Sequence, residues 1–532
     1  MKVASPSQEQ LENLVKCYQG GKYDDAEQLA SSLTQRFPKD QLAWKVLAAI
    51  LAQTGRPSEA LNANQVAVAL DPEDWDCHNN MGLVLKALGR YSEAEESCTH
   101  AILLHPDYPE AHNNLGAILY QLDRLKEAEN ICRRAIALRP SYAVAHNNLG
   151  NILNKDGRIE DALGSYREAI MVNPNYTDAF FNLGNLLTKL GRLGEAEVTY
   201  TQAIALKPDF AQAHCKLGDT LQGLGRFNEA ELSYAQAILY NPNFAIAYNN
   251  MGALLQLLKR YVEAEANFKQ AIAITPGYAS AYINLGNLCR AIGRIDEAKA
   301  SYQQAIVLDP GSSDAKHLLA ALSGETTETA PRSYVKKLFD DYATSFEISL
   351  VDQLGYQAPK SVAQIIRKDS KFDSLGSIVD LGCGTGLFGL EINQSCRYIE
   401  GVDISQNMLI QAAQKDIYNY LVQQDLIEYL LNTDLKFDYF VALDVFIYIG
   451  DLANLFRLIK SRNKIGGKLA FSTEDSDGDG YFLEVSGRYS HSKKYIDSLC
   501  EKFGYTVLHF ERQSLRKQKN EYIMGGLYLL EF

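Results

Sequence analysis

The sequence predicts two domains of different class: an α solenoid of stacked helix pairs over residues 1 to 322, then an α/β domain over 334 to 532, joined by a linker at 323 to 333. Three observations carry this. A 34-residue period fills the first part, short apolar strands alternate with helical stretches in the second, and one glycine-rich turn, SIVDLGCGTGLFGLE at 377 to 391, follows the first of those strands.

The period is read from small residues. Glycines 82, 116, 150, 184, 218, 252 and 286 stand 34 apart, alanines 94, 128, 162, 196, 230, 264 and 298 keep the step, and prolines 72, 106, 140, 174, 208, 242, 276 and 310 close each unit. Extending the frame backward through Trp44, Ala60 and Pro72, then Ala26 and Pro38, gives nine units, with SDAKHLLAAL at 313 to 322 as a capping helix. Each unit reads as two antiparallel helices: small residues sit where they cross closely, larger apolar ones such as Met81, Leu85 and Tyr91 fill the space between units, and proline ends the second helix. Stacked units form a solenoid with an extended concave surface. The pattern resembles the tetratricopeptide repeat.

Two residues before each repeat glycine stands an asparagine: Asn80, Asn114, Asn148, Asn182, Asn250 and Asn284, interrupted by Lys216. These repeats resemble those of O-linked N-acetylglucosamine transferase, and the resemblance implies that the row lines the concave side and holds the backbone of a bound peptide. An amide donates and accepts together, so a row of amides suits an extended peptide whatever its sequence. The same asparagines could instead bond neighbouring helices or water.

In the second domain IVDLG, YIEGVD, NYLVQQ, FDYFVAL and GGKLAFS read as parallel strands, and YTVLHFERQ with GGLYLLEF as an antiparallel hairpin at one edge. Gly384, Gly386 and Gly389 fit the dinucleotide fingerprint G-x-G-x-x-G, a weak signal alone. Three acids turn it elsewhere: Asp380 ahead of the glycines, Asp403 ending the second strand, and Asp425 after the third. Together they resemble class I S-adenosylmethionine-dependent methyltransferases over roughly 331 to 532, which implies a Rossmann-like seven-stranded sheet closed by the C-terminal hairpin. By that resemblance Asp380, Gly382, Cys383, Gly384 and Gly386 surround the cofactor's amino-acid part. Asp403 takes the ribose hydroxyls, Ile404 and Met408 pack beside ribose and adenine, and Asp425 with Leu426 holds the adenine. The lead-in at 334 to 356 and SGRYSHSKKYI at 486 to 496 are similar to those of repeat-linked bacterial methyltransferases and of proteins like the Williams–Beuren-region methyltransferase. There an N-terminal helix folds over the cofactor, and Tyr334, Phe339, Tyr342 and Phe346 would supply its aromatic face or else pack in the domain junction.

Methyl transfer from a sulfonium is an in-line displacement, and a base helps only if the acceptor must lose a proton. After the fourth strand ALDVFIYIGD replaces the N/D-P-P-Y stretch of enzymes that methylate amide or base nitrogens, which argues against such acceptors. His491 is a candidate base or substrate contact, or a satisfied histidine of core or surface. Asp444, just past the fourth strand, is the other catalytic candidate: the resemblance implies that it faces the substrate side, and it could instead orient the cofactor's ammonium or cap a helix. EDSDGDG at 474 to 480 mimics the start of a calcium loop through Asp475, Asp477, Asp479 and Gly480, but position twelve is Ser486, so a solvated acidic loop and no metal are expected. The basic run ERQSLRKQKN at 511 to 520 reads as a hairpin loop.

Composition bounds the rest. A net charge of −13 without a basic stripe argues against nucleic acid and anionic membranes. Nine scattered cysteines without a C-x-x-C pair suit a reducing compartment. MKVASPSQEQ carries no apolar signal region and no eighteen-residue apolar run follows, so a cytoplasmic protein is expected. The functional expectation is an S-adenosylmethionine-dependent methyltransferase whose groove recruits a protein or peptide. The alternative is a scaffold, assembling partners or a homo-oligomer, whose methyltransferase domain acts on a small molecule or only residually. Dinucleotide-dependent oxidation is the third reading.

Overall fold

The computed structural model describes residues 5–343, 346–347, 354–370, 374–518 and 521–532. Parts of the lead-in at 334 to 356 and of the basic run at 511 to 520 lie outside them. The chain divides into two compact units, residues 1–190 with 198–208, and residues 191–197 with 209–532.

Among the described residues the first nineteen helices run from Gln8–Gln19 to Ser313–Ser323, as nine antiparallel pairs and a final single helix. The repeat glycines sit where a second helix presses in. A Cβ on Gly82 would lie 2.4 Å from Cys98 Sγ, and one on Gly150, Gly252 or Gly286 would lie 2.6, 2.7 and 2.6 Å from the rings of Tyr166, Phe268 and Tyr302. None of these four distances tolerates a methyl group, so glycine fixes how closely the helices approach. The rings on the other side are buried to 1% exposure or less, which explains why small and large residues recur as pairs. Neighbouring units are also tied outside by an arginine shared between two acids: Arg124 meets Glu127 at 2.8 Å and Glu95 of the previous unit at 2.7 Å, and Arg260 repeats this with Glu263 and Glu231. These pairs are largely exposed and add little to stability.

In the second domain the strands are β1 (Ser377–Leu381), β2 (Tyr398–Asp403), β3 (Tyr420–Gln423), β4 (Phe437–Ala442), β5 (Asn463–Asp475), β6 (Tyr481–Leu483), β7 (Tyr489–His491), β8 (Thr506–Gln518) and β9 (Glu521–Glu531). Five run parallel in the order β3-β2-β1-β4-β5. β9 joins β5 antiparallel over Lys468 to Glu474 and carries β8 at the edge. The sheet has nine strands rather than the expected seven because β5 continues to Asp475, where its end pairs with β7 and so with the short β6–β7 hairpin. Nor is the basic run a loop: Glu511 to Lys517 belong to β8, paired with β9.

Both faces of the sheet are covered, as parallel strands require. On one side Phe440, Phe446, Phe456 and Phe471 pack with the helices Ala453–Ser461 and Lys493–Phe503. On the other Ile378, Val441, Ala470 and Leu529 pack under the helix Ala358–Asp369. The polar segment after the last solenoid helix lies along this domain: Glu328 O accepts from Gly450 N and Asp451 N at 2.8 and 2.9 Å, Ala330 N donates to Tyr448 O at 3.0 Å, and Thr327 Oγ1 meets Tyr489 OH at 2.6 Å.

Candidate active site

At the C-terminal ends of β1 and β2 the chain turns away from the sheet, leaving a crevice. Gly382 N and Cys383 N both donate to Val402 O, at 2.7 and 3.1 Å, and this bends the chain back over β2. Gly382 and Gly384 take φ of 73° and 54°, in the left-handed region. A Cβ on Gly382 would strike Val445 at 2.3 Å, whereas one on Gly384 would have only Phe346 within reach, at 3.9 Å, so a side chain there would occupy the space beside the turn.

That space is a cavity of about 480 Å³, within the range of nucleoside-sized sites. Asp380, Gly382, Cys383 and Gly384 line it, together with Asp403, Ile404, Asp425 and Leu426. Tyr342 lines it from the helix Arg332–Tyr342, and Asp444 from the end of β4. Three predicted residues are placed elsewhere. Gly386 lies behind the wall against Tyr418, and Met408 is wholly buried in the helix Gln406–Ala413, its N–H donating to Ser405 Oγ at 3.1 Å. His491 is the third. It lies on β7 with no exposure, Nε2 within 2.9 and 3.0 Å of Ile449 O and Gly450 O, and burial lowers its pKa to about 4, so it is a neutral donor to two backbone carbonyls.

Two of the carboxylates, Asp380 and Asp403, are nearly dry. Asp380 Oδ2 accepts from Tyr418 OH at 2.6 Å, and burial, opposed by that bond and reinforced by Asp403, raises its pKa to about 7. Asp403 accepts from Gly384 N at 2.9 Å and Ser405 N at 2.8 Å, and burial raises it to about 6. Asp425 caps the helix Leu426–Asn432 by accepting from Ile427 N and Glu428 N at 3.0 and 3.2 Å, and Arg332 stands 3.1 Å from the same oxygen. Thr385 Oγ1, buried in the wall, has no hydrogen-bond partner among the described residues. Two uncompensated buried acids, an unpartnered hydroxyl and a glycine in place of a side chain fit a ligand with a cationic end and hydroxyl donors.

Sequence reasoning missed several contributors. Tyr418 steadies Asp380 from 38 positions away. Asp340 ties the covering helix to the turn after β2, accepting from Ser405 Oγ at 2.6 Å and from Asn407 Nδ2 at 3.1 Å. Of the four lead-in aromatics, Phe339, Tyr342 and Phe346 line the cavity, while Tyr334 turns to the last solenoid helix, 5.3 Å from the ring of His317. Beyond Asp444 lies a buried chain of charges: Arg516 of β8 pairs with Asp444 and with Glu474, and Arg488 Nε donates to Glu474 at 2.7 Å. Burial opposes the charge of Arg516, yet Asp444 and Glu474 hold its pKa above the ordinary arginine value. Glu474 thus belongs to the interior rather than to a solvated loop, and among the described residues no cluster of three ligating side chains suits a metal ion.

Models of the tetratricopeptide repeat match residues 18–74, 79–143, 211–244 and 243–309, a TPR-repeat model matches 150–191 and 184–225, and a methyltransferase-domain model matches 372–522. The chain joins tetratricopeptide repeats to a methyltransferase domain. Among curated proteins it is similar to the ubiquinone biosynthesis O-methyltransferase of several Coxiella burnetii strains, 27% identical over 157 residues, or 29% of this chain. The match spans 64% of those relatives' length. Solved structures similar to the repeats include YrrB, a TPR protein with an unusual peptide-binding site (24% identity, TM-score 0.30, 35% of this chain and 96% of that one). Pseudomonas aeruginosa pilF is another, at 22% identity and TM-score 0.36, covering 40% of this chain and 96% of that one.

In the repeats, the half-buried asparagines of the row bond backward to the preceding unit. Asn114, Asn148 and Asn182 donate Nδ2 to Asn79, Asn113 and Asn147 at 2.9, 2.8 and 2.9 Å, and Asn284 does so to Asn249 at 2.9 Å. Asn80, in the same row, is half-buried too. Position 35 before Asn250 is Cys215, and Asn250 donates to Cys215 Sγ at 3.8 Å and to Asp219 at 2.8 Å, which also binds Lys216 at 3.0 Å. No helix among the described residues is long and apolar enough to cross a membrane.

Proposed function

We propose that residues 334 to 532 form an S-adenosylmethionine-dependent methyltransferase and that the solenoid of residues 1 to 322 brings it a protein or peptide, in the cytoplasm. The observation that carries the reading is the meeting of Asp380, Asp403 and Asp425, from the ends of three neighbouring strands, with a glycine turn in one cavity. Asp380 and the turn Gly382–Gly384 would hold the amino-acid end, Asp403 the ribose hydroxyls, and Ile404, Asp425 and Leu426 the adenine. When bound, the cofactor supplies a methyl group activated on a sulfonium. The chain's own residues orient and exclude water: Phe339, Tyr342 and Phe346 cover the cavity, and Asp340 fixes that cover to the turn after β2. A cationic ligand stabilises ionised Asp380 and Asp403, whose charge is costly in the ligand-free domain. Asp444, ion-paired and at the wall, is the residue we assign to the acceptor side; the placement of His491 favours a structural role for it.

The asparagine row supports peptide capture in that the backward bonds of Asn114, Asn148, Asn182 and Asn284 each use one of two N–H groups, leaving the other for a ligand. Those same bonds favour the second reading, in which the row ties the repeats together and capture occurs elsewhere on the solenoid. Incubating the full chain with radiolabelled S-adenosylmethionine and cell lysate tests the proposal: a labelled protein band should appear and vanish with Asp403→Ala. Label confined to small metabolites would refute the protein acceptor, and unchanged capture by a variant with alanine throughout the row would refute the groove.

A further inference from the structure

The wall of the cavity near Asp444 is held from outside the methyltransferase domain. Between β6 and β7 the chain makes a tight turn, Gly487 N donating to Glu484 O and Glu484 N to Arg488 O, both at 2.8 Å. Three successive carbonyls of that turn are taken by the last helices of the solenoid. Arg290 Nη1 donates to Val485 O at 3.1 Å and Ser486 O at 2.6 Å, and the buried His317 places Nε2 3.0 Å from Gly487 O. Gly487 has φ of 82°, and a Cβ there would meet Tyr334 OH at 3.0 Å, so the turn fits this grip only with glycine. The next residue, Arg488, lines the cavity and starts the charge chain Arg488–Glu474–Arg516–Asp444. Glu474 and Arg516 are 6% and 5% exposed. Buried charges of this kind are compensated only while every member stays in place.

We propose that Arg290, in the last repeat, is a positioning residue for methyl transfer. By fixing the turn at 484 to 488 it sets Arg488, and through Glu474 and Arg516 it sets the acceptor-side carboxylate Asp444. The repeats are then part of the acceptor site's construction as well as a means of recruitment. The assignment of that wall to the acceptor rests on the function proposed above; the grip on the turn does not.

The test uses the full chain carrying Arg290→Ala, with Arg290→Lys as the conservative rescue and Arg290→Gln should the alanine variant fail to fold. Three quantities are read: amide hydrogen exchange at Glu484 and Gly487, affinity for S-adenosylhomocysteine by calorimetry, and methyl incorporation in lysate. Loss of a charged donor to two carbonyls should speed exchange at the turn about tenfold or more. Affinity for S-adenosylhomocysteine should stay within about twofold, because Arg290 bonds to the turn at Val485 and Ser486 and not to the residues proposed to hold the nucleoside. Methyl incorporation should fall about tenfold, with partial recovery in the lysine variant. Unchanged exchange overturns the proposal, as does affinity for S-adenosylhomocysteine falling in step with incorporation, which would mark a general structural defect. If the unaltered protein labels nothing, the methyl-transfer reading fails, and exchange at the turn alone decides whether Arg290 positions it.

Discussion

Asp380 and Asp403 hold the residue-scale argument, because each is ionised at neutral pH only against the cost of burial. A carboxyl whose folded pKa lies above its unfolded value of about 4 keeps extra protons in the folded state, so this contribution to stability is greatest in acid and is lost as pH rises toward about 7. Asp380→Asn should therefore raise the melting temperature of the ligand-free protein at pH 8 and leave it unchanged at pH 4, as differential scanning fluorimetry can show. A cationic ligand lowers both pKa values, so binding of S-adenosylmethionine, whose sulfonium makes it a net cation, should release protons at pH 6 and tighten as pH rises from 5 to 7. Calorimetry in buffers of different ionisation enthalpy measures that release, and Asp380→Asn should reduce it. These two acids were legible in the sequence because they end strands beside a glycine turn, a purely local signal. His491 was not: RYSHS says nothing of the carbonyls of Ile449 and Gly450, which arrive from some forty residues upstream and leave the ring a structural task. His491→Phe should cost about 1–3 kcal/mol in urea unfolding by leaving those carbonyls without their donor.

Whole elements show where pattern reading succeeds and where it stops. The solenoid pairs were fully marked by their period, since each repeat glycine answers a cysteine or a ring across the helix crossing. Gly252→Ala should cost about 1–3 kcal/mol, because its Cβ would lie 2.7 Å from the Phe268 ring with no room to yield. A parallel loss at Gly277, where nothing lies within 4 Å, would contradict that cause. β8 was missed beyond its first half. Its charges, counted as composition, suggested a loop, whereas Leu515 and Arg516 are both buried by pairing with β9 and by acids from β4 and β5. Arg516→Met should destabilise the protein by about 3–5 kcal/mol, leaving Asp444 and Glu474 buried without it. Double replacement together with Asp444→Asn should recover part of that loss.

In the molecule as a whole, we propose, one cavity at the strand ends accepts a methyl-donating nucleoside and the repeats serve it. The division between solenoid and catalytic domain at 322 to 334 is our proposal for the two folds, although the segment between them hydrogen-bonds to the second domain along its length and Thr329, Ala330 and Arg332 line the cavity. That docking escaped the sequence because a polar stretch looks the same whether its backbone bonds to water or to Tyr448 and Gly450. The most direct test is a calorimetric titration of the full chain with S-adenosylhomocysteine at pH 7.5, beside its Asp403→Ala variant. Saturable one-to-one binding that weakens about tenfold to a hundredfold in the variant is expected; no binding at millimolar ligand, or equal binding by both proteins, would contradict a nucleoside site in this cavity.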